Sequence, residues 1–69
     1  MKYERAIEAL GAALISDAKS EVRITAAWAL GEIQSRKAVP ILKEALSDPY
    51  QRVRDQVSWA LTKILETDK

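Results

Sequence analysis

The feature that most constrains this chain is an internal repeat. Laid on itself at an offset of 31 residues, the stretch from Ser16 to Ile33 matches that from Ser47 to Ile64 at eight of eighteen positions. The shared pattern is Val-Arg-x4-Trp-Ala-Leu-x2-Ile, carried by Val22 to Ile33 and by Val53 to Ile64. It contains both tryptophans of the chain, Trp28 and Trp59. Self-similarity at such a period marks a repeat architecture, in which each copy is one supersecondary unit that buries its apolar face against the next. Upstream the register slips to 32, with Ala6, Leu10, Ala13 and Leu14 matching Ala38, Leu42, Ala45 and Leu46. A one-residue insertion before Val22 accounts for the slip, and its expected place is a turn, where length changes are tolerated.

Each copy reads as two helices. Tyr3, Ile7, Leu10 and Leu14 recur at spacings of three and four, as do Val39, Leu42 and Leu46, which makes one stripe of a 3.6-residue helix. The following helices carry Val22, Ala26, Ala29, Leu30 and Ile33, then Val53, Val57, Ala60, Leu61 and Ile64. No alternating pattern supports strands, and Ala, Leu, Glu and Lys dominate. The spacing predicts helices near residues 3–15, 20–34, 37–47 and 50–66, grouped as one copy over about 3–34 and a second over about 37–66. Turns fall at Ser16 to Ser20, Gln34 to Lys37 and Ser47 to Pro49, with Ser20 as the expected N-cap and Pro40 in the first turn of the third helix.

Length and composition bound the rest. Sixty-nine residues form one small domain, residues 1–69. A domain of this size buries only about 60% of the surface its unfolded chain exposes, so staples or partners are expected. The chain has no Cys and no His, which removes disulfides and thiolate or imidazole metal sites, and no cofactor is expected. No apolar run approaches a membrane span, and the N-terminus lacks a signal-peptide core, so the chain reads as cytoplasmic. Eleven basic and ten acidic residues give a net charge of +1, too balanced to steer nucleic acid or an anionic membrane. Arg36, Lys37, Arg52 and Arg54 are interspersed with Glu32, Glu44, Asp48 and Asp55, which argues further against phosphate binding.

The run from Glu21 to Ile33, followed by Ala38 to Pro49 and by Val53-Arg54, resembles the HEAT-like repeats of the phycobilisome-lyase type. The likeness spans about residues 5–65, and the second copy departs from it at Val57-Ser58 and at Thr62. It implies an all-α fold: two HEAT-like hairpins of four antiparallel helices in a short right-handed α-solenoid, or α-α superhelix, whose second helices line a concave face. It also implies an interaction scaffold. Relatives that are iron-dependent hydroxylases hold metal through His-Glu pairs, which this chain lacks entirely. An accessory subunit of a bilin-lyase-like complex is the alternative role, although two repeats are few to enclose a tetrapyrrole. The paired Asp17/Arg23 and Asp48/Arg54 read as the ladder that this repeat type uses to fix hairpin stacking.

Helix phase singles out the tryptophans. At 100° per residue from Val22, the residues Ala26, Ala29, Leu30 and Ile33 cluster between about 340° and 80°, whereas Trp28 falls near 240°. Trp59 has the same phase from Val53. Both indoles therefore leave the core stripe for a face shared with Ile24, Thr25 and Glu32 in one copy and Asp55, Gln56 and Lys63 in the other. Two rings of about 150 to 250 Å² each approach the size of an interaction patch. These eight residues are the expected protein-binding face of a non-catalytic scaffold. Because stacked repeats usually need about three copies to close a core, self-association into a homo-oligomer is expected.

Overall fold

A computed structural model describes residues 3–66. Four α-helices follow one another: α1 (Glu4–Ser16), α2 (Ser20–Ile33), α3 (Val39–Glu44) and α4 (Gln51–Glu66). Single 3-10 turns, Arg36–Ala38 and Ala45–Ser47, flank α3, and no strand occurs among the described residues. The fold is the expected all-α short solenoid, with α1 and α2 as the first hairpin and α3 and α4 as the second.

The turns within the hairpins are built alike. At Asp17 the chain leaves the helix with extended backbone, and the carboxylate Oδ1 accepts from the Lys19 backbone N–H at 2.9 Å. Asp48 repeats the device with the Tyr50 N–H at 2.9 Å. Such an Asp turn satisfies donors that the following helix leaves open. Ser20 is not the N-cap: it is the first residue of α2, and the cap position is held by Lys19, whose own side chain makes no capping bond. Ser35 does cap the third helical segment, accepting from the Lys37 N–H at 3.2 Å, and Pro40 sits in the first turn of α3 as expected. Between hairpins, Gln34 takes a left-handed conformation, φ 59°, and its N–H closes on the Leu30 carbonyl at 3.2 Å.

The third helix and the register slip depart from expectation. It is not one α-helix over 37–47, because only Val39–Glu44 is α-helical. A 3-10 turn rises about 2.0 Å per residue against about 1.5 Å for an α-helix, so the flanking turns let this shorter segment span the distance that α1 spans. The turns after Ser16 and after Ser47 are equally long, so the slip in register is not a turn insertion. The extra residue, between Leu14 and Ser16, lies inside α1. Burial ignores the slip: Ile7, Gly11 and Leu14 are buried 31 residues before Ala38, Leu42 and Ala45. Leu46, expected on the core stripe, is consequently 40% exposed, and Tyr3 is 49% exposed.

The core is small and closed. Leu14, Leu30, Leu42, Val53, Val57, Ala60 and Ile64 are fully buried, with Ile41, Leu61, Ile24 and Ile33 packed at its edge. Helix α2 packs against both α1 and α4, so it buries Ala26, Ala27, Leu30 and Gly31 over a wide arc. Its contact with α4 is very close. A Cβ at Gly31 would lie 2.6 Å from Trp59 Cζ3 and 3.0 Å from both Cα and Cβ of Ala60. Gly11 differs, since a Cβ there would meet Ile41 at an ordinary 3.5 Å. Close helix approach therefore explains Gly31 alone. Replacing it gains helix propensity of about 0.8 to 1.0 kcal/mol but overpacks a helix contact at about 1 to 3 kcal/mol. Gly31→Ala is thus expected to lower stability, and Gly11→Ala to raise it, in denaturant titrations of the two variants side by side.

Candidate interaction surface

The close packing of α2 on α4 sets a groove between them. Trp28 projects from α2 and Trp59 from α4, 50% and 37% exposed respectively, and both line one open groove of ≈ 570 Å³. Ile24, Arg52, Asp55 and Gln56 complete the lining. The off-stripe phase of the two indoles therefore brings them to a shared surface. They are not equivalent: the Trp59 ring lies against Gly31 of the first hairpin, and Trp28 is the more exposed of the two.

The rim is polar. Lys63 Nζ lies 5.4 Å from the centroid of the Trp59 ring and 3.8 Å from Glu32 Oε2, so the two residues bridge the hairpins over the edge of the indole. Each contributes little to stability at this exposure. Asp55 Oδ1 accepts from Gln51 Nε2 at 2.7 Å, one turn earlier on α4. Seven of the eight expected residues, Ile24, Trp28, Glu32, Asp55, Gln56, Trp59 and Lys63, thus lie in or beside the groove. Thr25 does not. It lines a separate depression with Leu10, Ala13, Glu21, Val22 and Ala26, and its hydroxyl donates to the Glu21 carbonyl at 2.9 Å.

Arg52 is the residue that pairwise comparison of the copies misses, because its counterpart is Glu21, which faces the other depression. The available signal was position on one helix: residues 52, 56 and 59 share a face at spacings of four and three. Among the described residues, Arg52 makes no hydrogen bond and no ion pair. The groove therefore offers apolar rings beside one unpaired cation.

One buried ion pair ties the hairpins together. Arg23 Nε donates to Asp48 Oδ2 at 2.7 Å and Nη2 to Asp48 Oδ1 at 3.2 Å, while Nη1 donates to the Asp17 carbonyl at 2.7 Å. The Tyr50 ring lies 5.5 Å from the guanidinium. Arg54 repeats only the local half, donating to the Asp48 carbonyl at 2.6 Å and to Gln51 Oε1 at 2.8 Å. The expected ladder thus has one rung between hairpins. Asp48 holds Arg23 still more firmly protonated than usual. Burial pushes the Asp48 carboxyl up, but the Arg23 guanidinium and the Tyr50 N–H outweigh it and hold the carboxyl below its usual value.

The HEAT repeat family, as a sequence pattern, matches residues 1–69. The chain belongs to the HEAT repeats. That match is to HEAT repeats in general and does not single out the phycobilisome-lyase type. No curated protein and no solved structure matches the chain. HEAT repeats generally mediate protein–protein contacts. Among the described residues no helix is long and apolar enough to cross a membrane.

The Asp48 shift fixes the sign of an acid effect. A carboxyl whose folded pKa is depressed contributes stability above its unfolded pKa of about 4 and loses it as pH falls through the folded value. Thermal melts should therefore fall as the pH drops below about 4. Asp48→Asn should melt lower at neutral pH and show a flatter acid limb, whereas an unchanged acid limb would place the titration elsewhere.

Proposed function

We propose that this HEAT-repeat chain is a non-catalytic protein-interaction module that binds a partner segment along the groove between α2 and α4. The observation that carries this reading is the pairing of two part-exposed indoles, one from each hairpin, with the unpaired cation Arg52 on one open surface. Tryptophan is the residue type most enriched at binding hot spots, because a rigid ring delivers much apolar contact at small entropic cost. In this reading Trp28 and Trp59 are the anchors and Ile24 the apolar floor. Arg52, Asp55 and Gln56 orient the bound segment, with Glu32 and Lys63 at the rim. Thr25 stands outside the contact.

The chemistry of the groove specifies the partner segment. Two aromatic walls call for large apolar side chains, and Arg52 calls for a carboxylate within one or two helical turns of them. An amphipathic acidic helix meets both demands. Phosphate-rich ligands are disfavoured, because Asp55 shares the groove and Lys63 is neutralised by Glu32.

Peptides selected from a random displayed library against the whole chain are expected to share apolar residues and an acidic residue. Trp28→Ala is expected to leave the melting curve nearly unchanged and to weaken the selected peptides by about 2 kcal/mol or more, roughly thirty-fold in Kd. Arg52→Glu should weaken them with a loss of salt dependence. Peptides that bind Trp28→Ala as tightly as the parent chain would refute the assignment, as would a Trp28→Ala variant that does not fold.

A further inference from the structure

The charges of the Trp groove are ordered along α4. Arg52, Asp55 and Trp59 all line it, at spacings of three and four that put them on one face of the helix. At about 1.5 Å of rise per residue, they stand about 4.5 Å and then about 6 Å apart along the axis. From the N-terminal end of α4, the wall therefore presents a cation, a carboxylate and an aromatic ring.

Both charges are open to a ligand. Arg52 is exposed and, among the described residues, makes no hydrogen bond and no ion pair. Asp55 is exposed as well, and among the described residues its donor is a neutral amide, Gln51 Nε2, at 2.7 Å. That amide is held at its other atom, because Gln51 Oε1 accepts from Arg54 Nη2 at 2.8 Å. Asp55 thus faces Gln51, and no ion pair joins it to Arg52 although the two are three residues apart. At the far end of the groove charge is cancelled within the molecule: Lys63 Nζ lies 3.8 Å from Glu32 Oε2 and 5.4 Å from the centroid of the Trp59 ring. Uncompensated charge is confined to one end of the groove, and its order is fixed.

We infer that the groove selects a helical segment by the order of its charges: an acidic residue, a basic residue three positions on, and a large apolar residue four positions beyond that. The inference rests on the groove being a peptide-binding surface, and it adds what distinguishes one amphipathic segment from another. The acidic residue pairs with Arg52, the basic residue with Asp55, and the apolar residue packs on the indoles. A segment running either way along α4 meets the same groups, so the order is read and the chain direction is not. The reversed order, with the basic residue outermost, sets like charges against both Arg52 and Asp55. Turning such a segment end for end does not rescue it, because its apolar residue then leaves the indoles. Like-charge contacts of this kind reject wrong partners.

Two synthetic helical peptides of identical composition test the order. One carries Glu, then Lys three residues on, then Phe four residues beyond; the other has Glu and Lys exchanged. By fluorescence anisotropy the unmodified chain should bind the first about ten-fold more tightly, since each exposed charge pair is worth a few-fold. Asp55→Asn keeps an acceptor for Gln51 and should reduce that preference to about three-fold. A chain carrying both Arg52→Asp and Asp55→Arg should reverse it. Reversal separates recognition by the groove from a difference in the peptides' own helicity, which a change in the protein cannot alter. Trp28→Ala should weaken both peptides alike. Equal binding of the two peptides by the unmodified chain, with both weakened by Trp28→Ala, overturns the charge order and leaves the groove as the binding surface. A preference that neither change at Asp55 moves has the same meaning. If neither peptide binds, or if Trp28→Ala weakens neither, the groove is not the binding surface and the inference falls with it.

Discussion

Everything in this molecule depends on how closely α2 and α4 approach at Gly31. With no Cβ at that position, the Trp59 ring and the Ala60 backbone of the second hairpin lie directly against the first. That contact sets the width of the groove, leaves Trp59 less exposed than Trp28, and brings Lys63 within reach of Glu32. A side chain at Gly31 would push the helices apart, and all three features would change together. In a core of so few residues, no other layer exists to absorb the shift.

The Arg23–Asp48 pair serves a different end. Desolvating two charges offsets much of their attraction, so a buried pair is weak evidence for net stability. Its geometry is bidentate, and Asp48 is itself held by the Tyr50 N–H, which admits one relative placement of the hairpins. The apolar stripe drives the hairpins together, and the ion pair selects their register. The same turn at Asp17 has its local half only, which is why the two ends of the stack are chemically distinct although the sequence repeats.

The helices were legible because amphipathic periodicity is strong in α1 and α4, and because Asp turns interrupt it. The face of the tryptophans was legible because phase on a straight helix is simple geometry. What escaped reading involves competition between neighbours. Ser20 looked like a cap, yet Lys19 holds that position, and the Val22 and Arg23 N–H groups donate to its carbonyl. Leu46 belonged to the sequence stripe, yet the 3-10 turn at Ala45–Ser47 rotates it outward. Thr25 shares an approximate phase with Trp28 but lies on the α1 side of the ring, where its hydroxyl bonds the Glu21 carbonyl. Arg52 was hidden because its counterpart, Glu21, lies outside the groove.

The amino-acid pattern by itself determined the number of helices, their pairing into two similar hairpins, and the departure of Trp28 and Trp59 from the core stripe. These are local properties, set by spacing along one helix and by the residues that end it. Tertiary structure alone decided which of two equivalent residues is covered. Val22 and Val53 are identical in the repeat, but Val53 is fully buried and Val22 only partly. Coverage depends on what lies across the interface, at a distance along the chain that no periodicity records. Two copies of one motif therefore have two different surfaces.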